Sequence, residues 1–408
     1  MKAILPALAA CALAFAALAQ DAAPAAGGLS AIDTRTAIED MMRERLAEAP
    51  ARYETAAKAV AEAAEAGDML ALYAIAAVSA EPDSPASIRL DEKAAKEAIA
   101  RTARVVAAAA RNGDRLAQYL CAVQTKDWRA MKSAADADYP PALNDWGARR
   151  LAGTFRKNRP DKDDFRIRRE CFGYFNRAAA HNDPNGFCNL GICYLKGWGC
   201  TRDVEQAMEN LNIAAAMGQP KAMNIVGERH EDPVVATRYY AQSAALGNAE
   251  GRYRYAKALQ EGRGIEENRE RAMRLMSLAA AQGFAAAMDE YGQMLYESDN
   301  PEDHKRAIAW WAECAKRHDH ARSIDRLGVA HLEGKGVEKD EAAATRFFHE
   351  AASRRCPEAM MHLADCWDAG VGGLKKNHYN ANWWRTNAMA TRGDRNARVW
   401  LSSHRLEK

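Results

Sequence analysis

The feature of this 408-residue chain that most constrains its fold is an internal repeat of 36 residues. An apolar residue followed by a small one recurs along the C-terminal half, and the steps between the small residues are 36, 29, 36, 36 and 36. The pairs are Leu190-Gly191, Val226-Gly227, Tyr255-Ala256, Tyr291-Gly292, Leu327-Gly328 and Leu363-Ala364. Another small residue stands four positions before each apolar member, so both lie on one face of a helix that packs closely against a neighbour. Such a period predicts stacked helical units.

A second helix is predicted in each unit. It begins near an alanine, carries bulky residues such as Trp310-Trp311 and ends in an alanine pair followed by glycine, which is typical of a left-handed helix cap. Between the two helices, glycine pairs such as Gly334 and Gly336 permit a tight reversal. One connection, ERHEDPVV, is shortened by seven residues, and this shortening accounts for the 29-residue step.

These residues together resemble the Sel1-like repeat family. Residues 323 to 352 carry its small, turn and aromatic positions at Ser323, Leu327-Gly328, Gly334, Gly336, Val337, Asp340, Phe347-Phe348 and Ala351-Ala352. The resemblance implies an all-α fold, an α/α superhelix built as a solenoid of antiparallel helix pairs like those of tetratricopeptide proteins, used as an adaptor or scaffold. We expect Sel1-like repeats over 139–400 and a polar tail over 401–408. Diverged repeats or a separate helical cap are expected over 31–138.

The N-terminus has the layout of a secretory signal: one lysine, an apolar run and small residues before Gln20. We expect residues 1–19 to be a signal peptide cleaved after Ala19, residues 20–30 to be a flexible linker, and the mature protein to reside in the bacterial periplasm or outside the cell. An uncleaved anchor and acylation of Cys11 are the alternatives. Eight cysteines then remain, and the sequence does not decide which of them form disulfides.

No sequence motif for catalysis is present among those of serine hydrolases, zinc proteases, β-lactamases and nucleotide-binding enzymes. His318, His320 and His331 cluster in the sequence, but His331 occupies the tyrosine position of its repeat and the other two fall at a predicted helix end. We therefore predict no metal and no cofactor. The net charge of +2 gives no general reason to expect nucleic acid as a partner.

The candidate binding residues lie on the first helix of each repeat, next to the recurring pair of an apolar and a small residue. At these positions the chemical character changes from repeat to repeat. They are Asn189, Glu228, Arg254, Lys257, Glu290, Gln293, Arg326, His362 and Asp365. Six glycines are assigned structural roles: Gly191, Gly227, Gly292, Gly328, Gly334 and Gly336. The stretch 147–177 has ten Arg or Lys against four Asp or Glu, which favours either an acidic partner or a solvated insertion.

The sequence thus predicts an exported, non-enzymatic scaffold that binds a protein or peptide, such as a cell-envelope component, along the groove of its repeats. The alternative is a hydrolase or ligand-binding protein that acts on cell-wall material or β-lactams through a site without a known motif. A deep pocket with converging ionisable groups would favour the alternative, and a shallow groove would favour the scaffold.

Overall fold

The computed structural model describes residues 31–404 with the exception of 80, 82–83, 86–87 and 155–161. The predicted signal peptide, the linker over 20–30 and Cys11 lie outside the described residues, as do the last four residues of the predicted tail.

The described chain forms twenty-one α-helices and no strand. In chain order they are α1 Ala31–Leu46, α2 Pro50–Glu65, α3 Met69–Val78, α4 Glu92–Arg111, α5 Arg115–Thr125, α6 Trp128–Asp136, α7 Pro140–Thr154, α8 Lys162–Ala180, α9 Pro184–Lys196, α10 Val204–Ala216, α11 Pro220–Arg229, α12 Pro233–Ala245, α13 Ala249–Glu261, α14 Arg269–Ala281, α15 Ala285–Tyr296, α16 Pro301–His318, α17 Ala321–Glu333, α18 Glu341–Ser353, α19 Pro357–Ala369, α20 His378–Thr391 and α21 Arg395–Ser403. The all-α prediction, with antiparallel helix pairs that pack on one another, is confirmed.

The ends of the helices follow from local chemistry. Asp183, Asp203 and Asp340 each precede a helix and accept hydrogen bonds from backbone N–H groups of its first turn, which otherwise lack a partner. Proline occupies the first position of α9 and α11, where its missing N–H costs nothing. These signals recur with the repeat, so each unit starts its helices at the same register.

The chain divides into two compact units between Gly251 and Arg252. Unit 1 contains α1 to α12, and unit 2 contains α14 to α21 together with most of α13. In each unit the odd-numbered helices from α3 onward are the first helices of the pairs and the even-numbered ones are the second. None of the helices in the described residues is both long and apolar enough to cross a bilayer.

Within a pair, the small residue of the first helix lies against a large side chain of the second. A Cβ atom placed on Gly328 would lie 2.5 Å from a ring carbon of Phe348, and one on Gly227 would lie 2.7 Å from the ring of Tyr240. Gly191 and Gly292 stand in the same relation to Leu211 and Trp311. The glycine lets the second helix approach until its large residue rests on the backbone of the first. Gly334 and Gly336, with φ of 70° and 77°, adopt the left-handed conformation of the turn that follows α17.

Candidate functional site

Unit 2 contains a concave pocket of about 730 Å³. Most of its walls come from the first helices α15, α17 and α19. Counted from the start of each helix, the lining positions are mainly the second, fifth, sixth and ninth residues. The lining residues are Lys257, Glu290, Gln293, Tyr296, Glu297, Trp311, Arg322, Asp325, Arg326, Val329, Glu333, Glu358, Met361, His362 and Arg392. The repeat therefore brings the same register positions of three consecutive first helices to one surface.

A line of hydrogen bonds between consecutive repeats forms the polar base of this surface. The fifth residue of α15, Asp289, is 1% exposed, and its carboxylate accepts a hydrogen bond from Ser323 Oγ at 2.9 Å. Arg326 Nη1 donates to the Asp289 backbone carbonyl at 2.7 Å and lies 3.5 Å from the carboxylate. One repeat later, Asp325 lies 2.8 Å from His362 Nδ1. Each buried aspartate is thus satisfied by a side chain of the following repeat, which fixes the two repeats relative to each other.

Two histidines of unit 2 have pKa values shifted in opposite directions. The hydrogen bond and the charge of Asp325 raise the pKa of His362, because the carboxylate stabilises the imidazolium. Burial lowers the pKa of His320 despite the charge of Asp289 nearby. Burial likewise lowers the pKa of the Arg326 guanidinium. The contact with Asp325 thus favours the charged form of His362, whereas burial favours the neutral form of His320.

Apolar and aromatic side chains complete the pocket. The Tyr296 hydroxyl donates to Glu333 Oε2 at 2.8 Å, and this bond raises the pKa of the phenol in addition to the effect of burial. Trp311 is 1% exposed, and the Arg326 guanidinium lies 5.7 Å from its ring centroid. Val329 and Met361 are half-buried. The surface therefore combines a hydrophobic strip with charged groups around it, as protein-binding surfaces do.

Five of the nine predicted binding residues line this pocket: Lys257, Glu290, Gln293, Arg326 and His362. The structure does not bring the other four to it. Asn189 and Glu228 belong to unit 1, where Asn189 Nδ2 donates to Asn144 Oδ1 at 3.1 Å and Glu228 is exposed. Arg254 and Asp365 belong to unit 2 but lie outside the lining, and Asp365 accepts from Arg385 Nη2 at 2.8 Å.

Several lining residues were not selected from the sequence. The fifth residues of the first helices, Asp325 and Met361, differ in type between repeats, as the selected sixth and ninth residues do, and that variation could have revealed them. Arg392 lies in the turn after α20, and no repeat signal marks it. Trp311 occupies the large-residue position of the second helix, where Phe348 is also buried and Tyr240 and Trp384 are half-buried. Its contribution to the surface is evident only from the structure.

The basic stretch 147–177 is only partly described, since 155–161 lie outside the described residues. Within the described part, Arg149 pairs with Asp145 at 2.5 Å, Arg150 with Glu170 at 3.4 Å and Arg177 with Asp138 at 2.7 Å. Three of the arginines that suggested an acidic partner are therefore already paired with carboxylates of the same chain.

Histidine and cysteine positions were also considered as chemical sites. His331 stacks on Phe347 with ring centroids 5.3 Å apart. The expectation that His320 ends a helix is wrong: it precedes α17, and its Nδ1 accepts from the Ser323 N–H at 3.3 Å. No group of three His, Cys, Asp or Glu side chains converges in the described part of the chain. All eight described cysteines are free thiols, and burial raises the pKa of Cys188 to about 12.

The geometry defines a class of protein: stacks of antiparallel helix pairs in which a small residue of one helix meets a large residue of the next. The sequence profile of the Sel1 repeat matches six stretches, at residues 188–219, 226–248, 249–284, 285–319, 321–355 and 357–384. The chain is therefore a Sel1 repeat protein, as the sequence predicted. Proteins of this family are typically adaptors in protein–protein interactions.

Comparison with individual proteins supports the same fold. The chitin synthase regulator SKT5 of Saccharomyces cerevisiae is 25% identical over 239 residues, which cover 53% of this chain and 34% of SKT5. An uncharacterised protein of Neisseria meningitidis is 26% identical over 180 residues, covering 42% and 37% of the two chains. This chain thus spans about a third of the length of these relatives. The crystal structure of the c5321 protective antigen of uropathogenic Escherichia coli superposes with a TM-score of 0.54 at 22% identity, covering 86% of this chain and 76% of c5321.

Proposed function

We propose that this protein is an exported, non-enzymatic scaffold that binds a protein partner through the pocket of unit 2. The observation that carries the proposal is the convergence of fifth, sixth and ninth residues from three repeats around Val329, Met361 and Trp311. A half-buried apolar strip surrounded by charged residues suits a protein surface, because apolar contacts supply affinity and charges supply selectivity. The relative SKT5 is described as a regulator of chitin synthase, and this description agrees with an adaptor role.

The ionisable groups of the pocket support binding better than hydrolysis. The His362–Asp325 pair has the geometry of an oriented base, but the lining residues include no serine, threonine or cysteine to act as its nucleophile. Arg326 and His362 are already engaged with aspartates of the neighbouring repeats, where they hold the stack together.

Affinity capture with the full chain as bait tests the scaffold function. Val329→Arg places a charge in the middle of the apolar strip, and Val399→Arg makes the same change at a 69% exposed valine outside the lining. We expect a protein that is retained by the wild type and by Val399→Arg and is lost with Val329→Arg. Assays with peptidoglycan fragments and β-lactams accompany the capture. Saturable turnover that disappears in His362→Ala would contradict the scaffold proposal and favour a hydrolase.

Export is tested separately by mass spectrometry of the N-terminus. The proposal expects the mature chain to begin at Gln20 and to be recovered from the periplasm or the medium. Soluble cytoplasmic protein that retains Met1 would contradict export, and an acylated Cys11 would replace the cleavage site with a lipid anchor.

A further inference from the structure

Helix α1 packs against α2, and it also contacts first helices of the repeats that follow in unit 1. Arg45 Nη2 donates to the Tyr119 hydroxyl at 2.8 Å and lies 3.2 Å from the Asp145 carboxylate. The Arg43 carbonyl accepts from Asn185 Nδ2 at 3.3 Å. Tyr119, Asp145 and Asn185 are the fifth residue of α5, the sixth of α7 and the second of α9. One helix therefore contacts three consecutive repeats at these register positions.

The two ends of this segment continue the same path. Arg35 Nη1 lies 2.7 Å from the carboxylate of Asp114, which precedes α5. After α1, the Ala47 carbonyl accepts from Gln219 Nε2 at 3.4 Å and the Glu48 carbonyl from Asn248 Nδ2 at 3.1 Å. Residues 35 to 48 thus contact the N-terminal halves of the first helices α5, α7 and α9 and the residues that precede α11 and α13.

The segment that occupies this face of unit 1 is an amphipathic helix. Ile38, Met41 and Met42 are 0% exposed and belong to the same hydrophobic cluster as Tyr119. Arg35 lies one turn before this apolar stripe and Arg45 one turn after it, and each pairs with a carboxylate of the repeats. Unit 1 therefore shows what its repeat surface accepts: an apolar stripe at i, i+3 and i+4 with a basic residue at each end of the stripe.

In unit 2 the same register positions line the pocket. Its fifth and sixth residues include Asp325, Arg326, Met361 and His362, and its second residues are Arg322 and Glu358. Met361, in the apolar strip of Trp311, Val329 and Met361, is the fifth residue of α19. Tyr119, which Arg45 of α1 contacts in unit 1, is the fifth residue of α5. The pocket is open where unit 1 is covered by α1.

The charges at the pocket are unevenly balanced. Each lining Arg or Lys is ion-paired within the chain: Lys257 with Glu261, Arg322 with Glu290, Arg326 with Asp289 and Arg392 with Glu358. Glu297 and Glu333 are exposed and accept hydrogen bonds from the neutral groups of Gln293 and Tyr296, and neither forms an ion pair in the described part of the chain. Among the residues that line the pocket, the charge that lacks an ionic partner is therefore negative; beside them, Lys335 Nζ lies 4.4 Å from the Tyr296 ring centroid.

We propose that the pocket of unit 2 binds an amphipathic α-helix of another protein, with an apolar stripe flanked by arginine or lysine. This proposal rests on the proposed scaffold function and names the chemistry of its partner. The apolar stripe covers Val329 and Met361, as α1 covers its own repeats, and the basic flank faces Glu297 and Glu333. An acidic helix lacks a counter-charge there, because the basic residues of the pocket are already neutralised.

Three synthetic helices of 18 residues test the proposal against the full chain by fluorescence anisotropy. The first carries leucine at i, i+3 and i+4, with arginine one turn before and one turn after this stripe, as in α1. The second replaces these arginines by glutamate, and the third has the composition of the first with its leucines distributed around the helix. We expect the first to bind, and the other two to bind at least about tenfold more weakly.

Variants of the chain locate the binding. Val329→Arg should weaken the arginine-flanked helix by about tenfold or more, and Val399→Arg should leave it unchanged. Glu297→Gln combined with Glu333→Gln keeps the hydrogen-bond acceptors and removes two charges, so binding should weaken roughly two- to thirtyfold and lose salt dependence. Glu338→Gln, at an exposed glutamate outside the lining, is the control. Circular dichroism of each variant verifies its helical content.

Equal binding of the arginine- and glutamate-flanked helices, or binding that is insensitive to Val329→Arg, would overturn the proposal. If a natural partner requires Val329 while none of the synthetic helices binds, the helix proposal fails and the scaffold function stands. If no protein and no synthetic helix requires Val329, both fail.

Discussion

Gly328 offers a quantitative test of how the helix pairs are packed. A Cβ atom there would lie 2.5 and 2.7 Å from two ring carbons of Phe348 and 3.2 Å from the Ala344 carbonyl oxygen. Phe348 is 0% exposed, so its ring is enclosed by other atoms of the chain and any movement must displace them. Gly328→Ala should therefore cost about 1 to 3 kcal/mol by overpacking. It gains about 1 kcal/mol of helix propensity, so the net effect is a loss of roughly 0 to 2 kcal/mol.

Gly173→Ala is the matched control. Gly173 lies inside α8, and a Cβ atom there would meet no atom within 4 Å. The same substitution should stabilise α8 by about 0.5 to 1 kcal/mol. The difference between the two variants, about 1 to 3 kcal/mol, isolates the overpacking.

Hydrogen exchange followed by mass spectrometry measures both effects locally, which suits a repeat protein whose parts can open separately. Peptides from α17 and α18 report on Gly328→Ala, and peptides from α8 report on the control. A repeat with alanine at the equivalent position, Ala256, has Met276 twenty residues later, where Phe348 stands relative to Gly328. Adding Phe348→Met should therefore recover part of the loss, with a favourable coupling of about 1 kcal/mol. Equal stabilisation at Gly328 and Gly173 would refute the packing described for the pair.

Four further predictions concern other residues of the two units. His362 has a raised pKa in the folded state, so its stabilising effect should be complete below about pH 6.5 and be lost as the pH rises through the raised value. Urea unfolding of the wild type and of His362→Gln at pH 5 to 9 measures this pH dependence. His320 has a lowered pKa, so its protonation should oppose folding as the pH falls below about 6.5, and His320→Asn should gain stability relative to wild type at acid pH only. Lys257→Ala, which removes a half-buried side chain paired with Glu261 at 3.4 Å, should cost under about 0.5 kcal/mol in unfolding and, because it removes a positive charge from the pocket, should not weaken binding of a helix with basic flanks. Asn248→Ala removes a helix cap, the contact with residue 48 and the acceptor of Asn224 Nδ2, so it should cost about 1 kcal/mol more than Asn268→Ala, which removes a cap alone, and should raise exchange over residues 47–52.

The helix pairs could be predicted from the sequence because their packing makes demands on single residues at fixed spacing. Gly292 and Gly328 recur 36 residues apart since each must admit a large ring against the helix backbone. Gly334 and Gly336 recur in type because the turn needs positive φ. Such demands repeat with every unit, so one chain contains several independent examples of the pattern.

The polar contacts between repeats could not be predicted in the same way. Asp289 and Asp325 occupy the fifth position of two repeats, whereas other repeats have Cys188, Asn224 or Met361 there. Their partners come from the next repeat, and which side chain reaches the carboxylate depends on the packing between helices. A residue that varies between repeats therefore need not be exposed to solvent. Arg326 stands at such a variable position, and it contacts Asp289.

The path of α1 is also invisible to a search for periodicity. Its contacts join Arg35 to Asp114, Arg45 to Asp145 and residue 48 to Asn248, and no spacing in the sequence marks partners so far apart. The same holds for His320. It lies between the end of α16 at His318 and the start of α17 at Ala321, and the neighbouring residues in the sequence do not indicate that boundary.

The two kinds of residue in the pocket should therefore respond differently to substitution. Arg326 and His362 are bound to aspartates of neighbouring repeats. Removing His362 takes away the hydrogen-bond partner of the buried Asp325, and removing Arg326 takes away one of the partners of the buried Asp289, so both changes act first on stability. Val329 and Met361 are half-buried at the surface and hold no neighbouring group by a hydrogen bond, so replacing them acts first on a bound protein. A substitution at Arg326 that weakens binding is informative about the interface only when the stability of unit 2 is measured with it. Changes at Val329 report on the partner directly, which is why the binding experiments above depend on that residue.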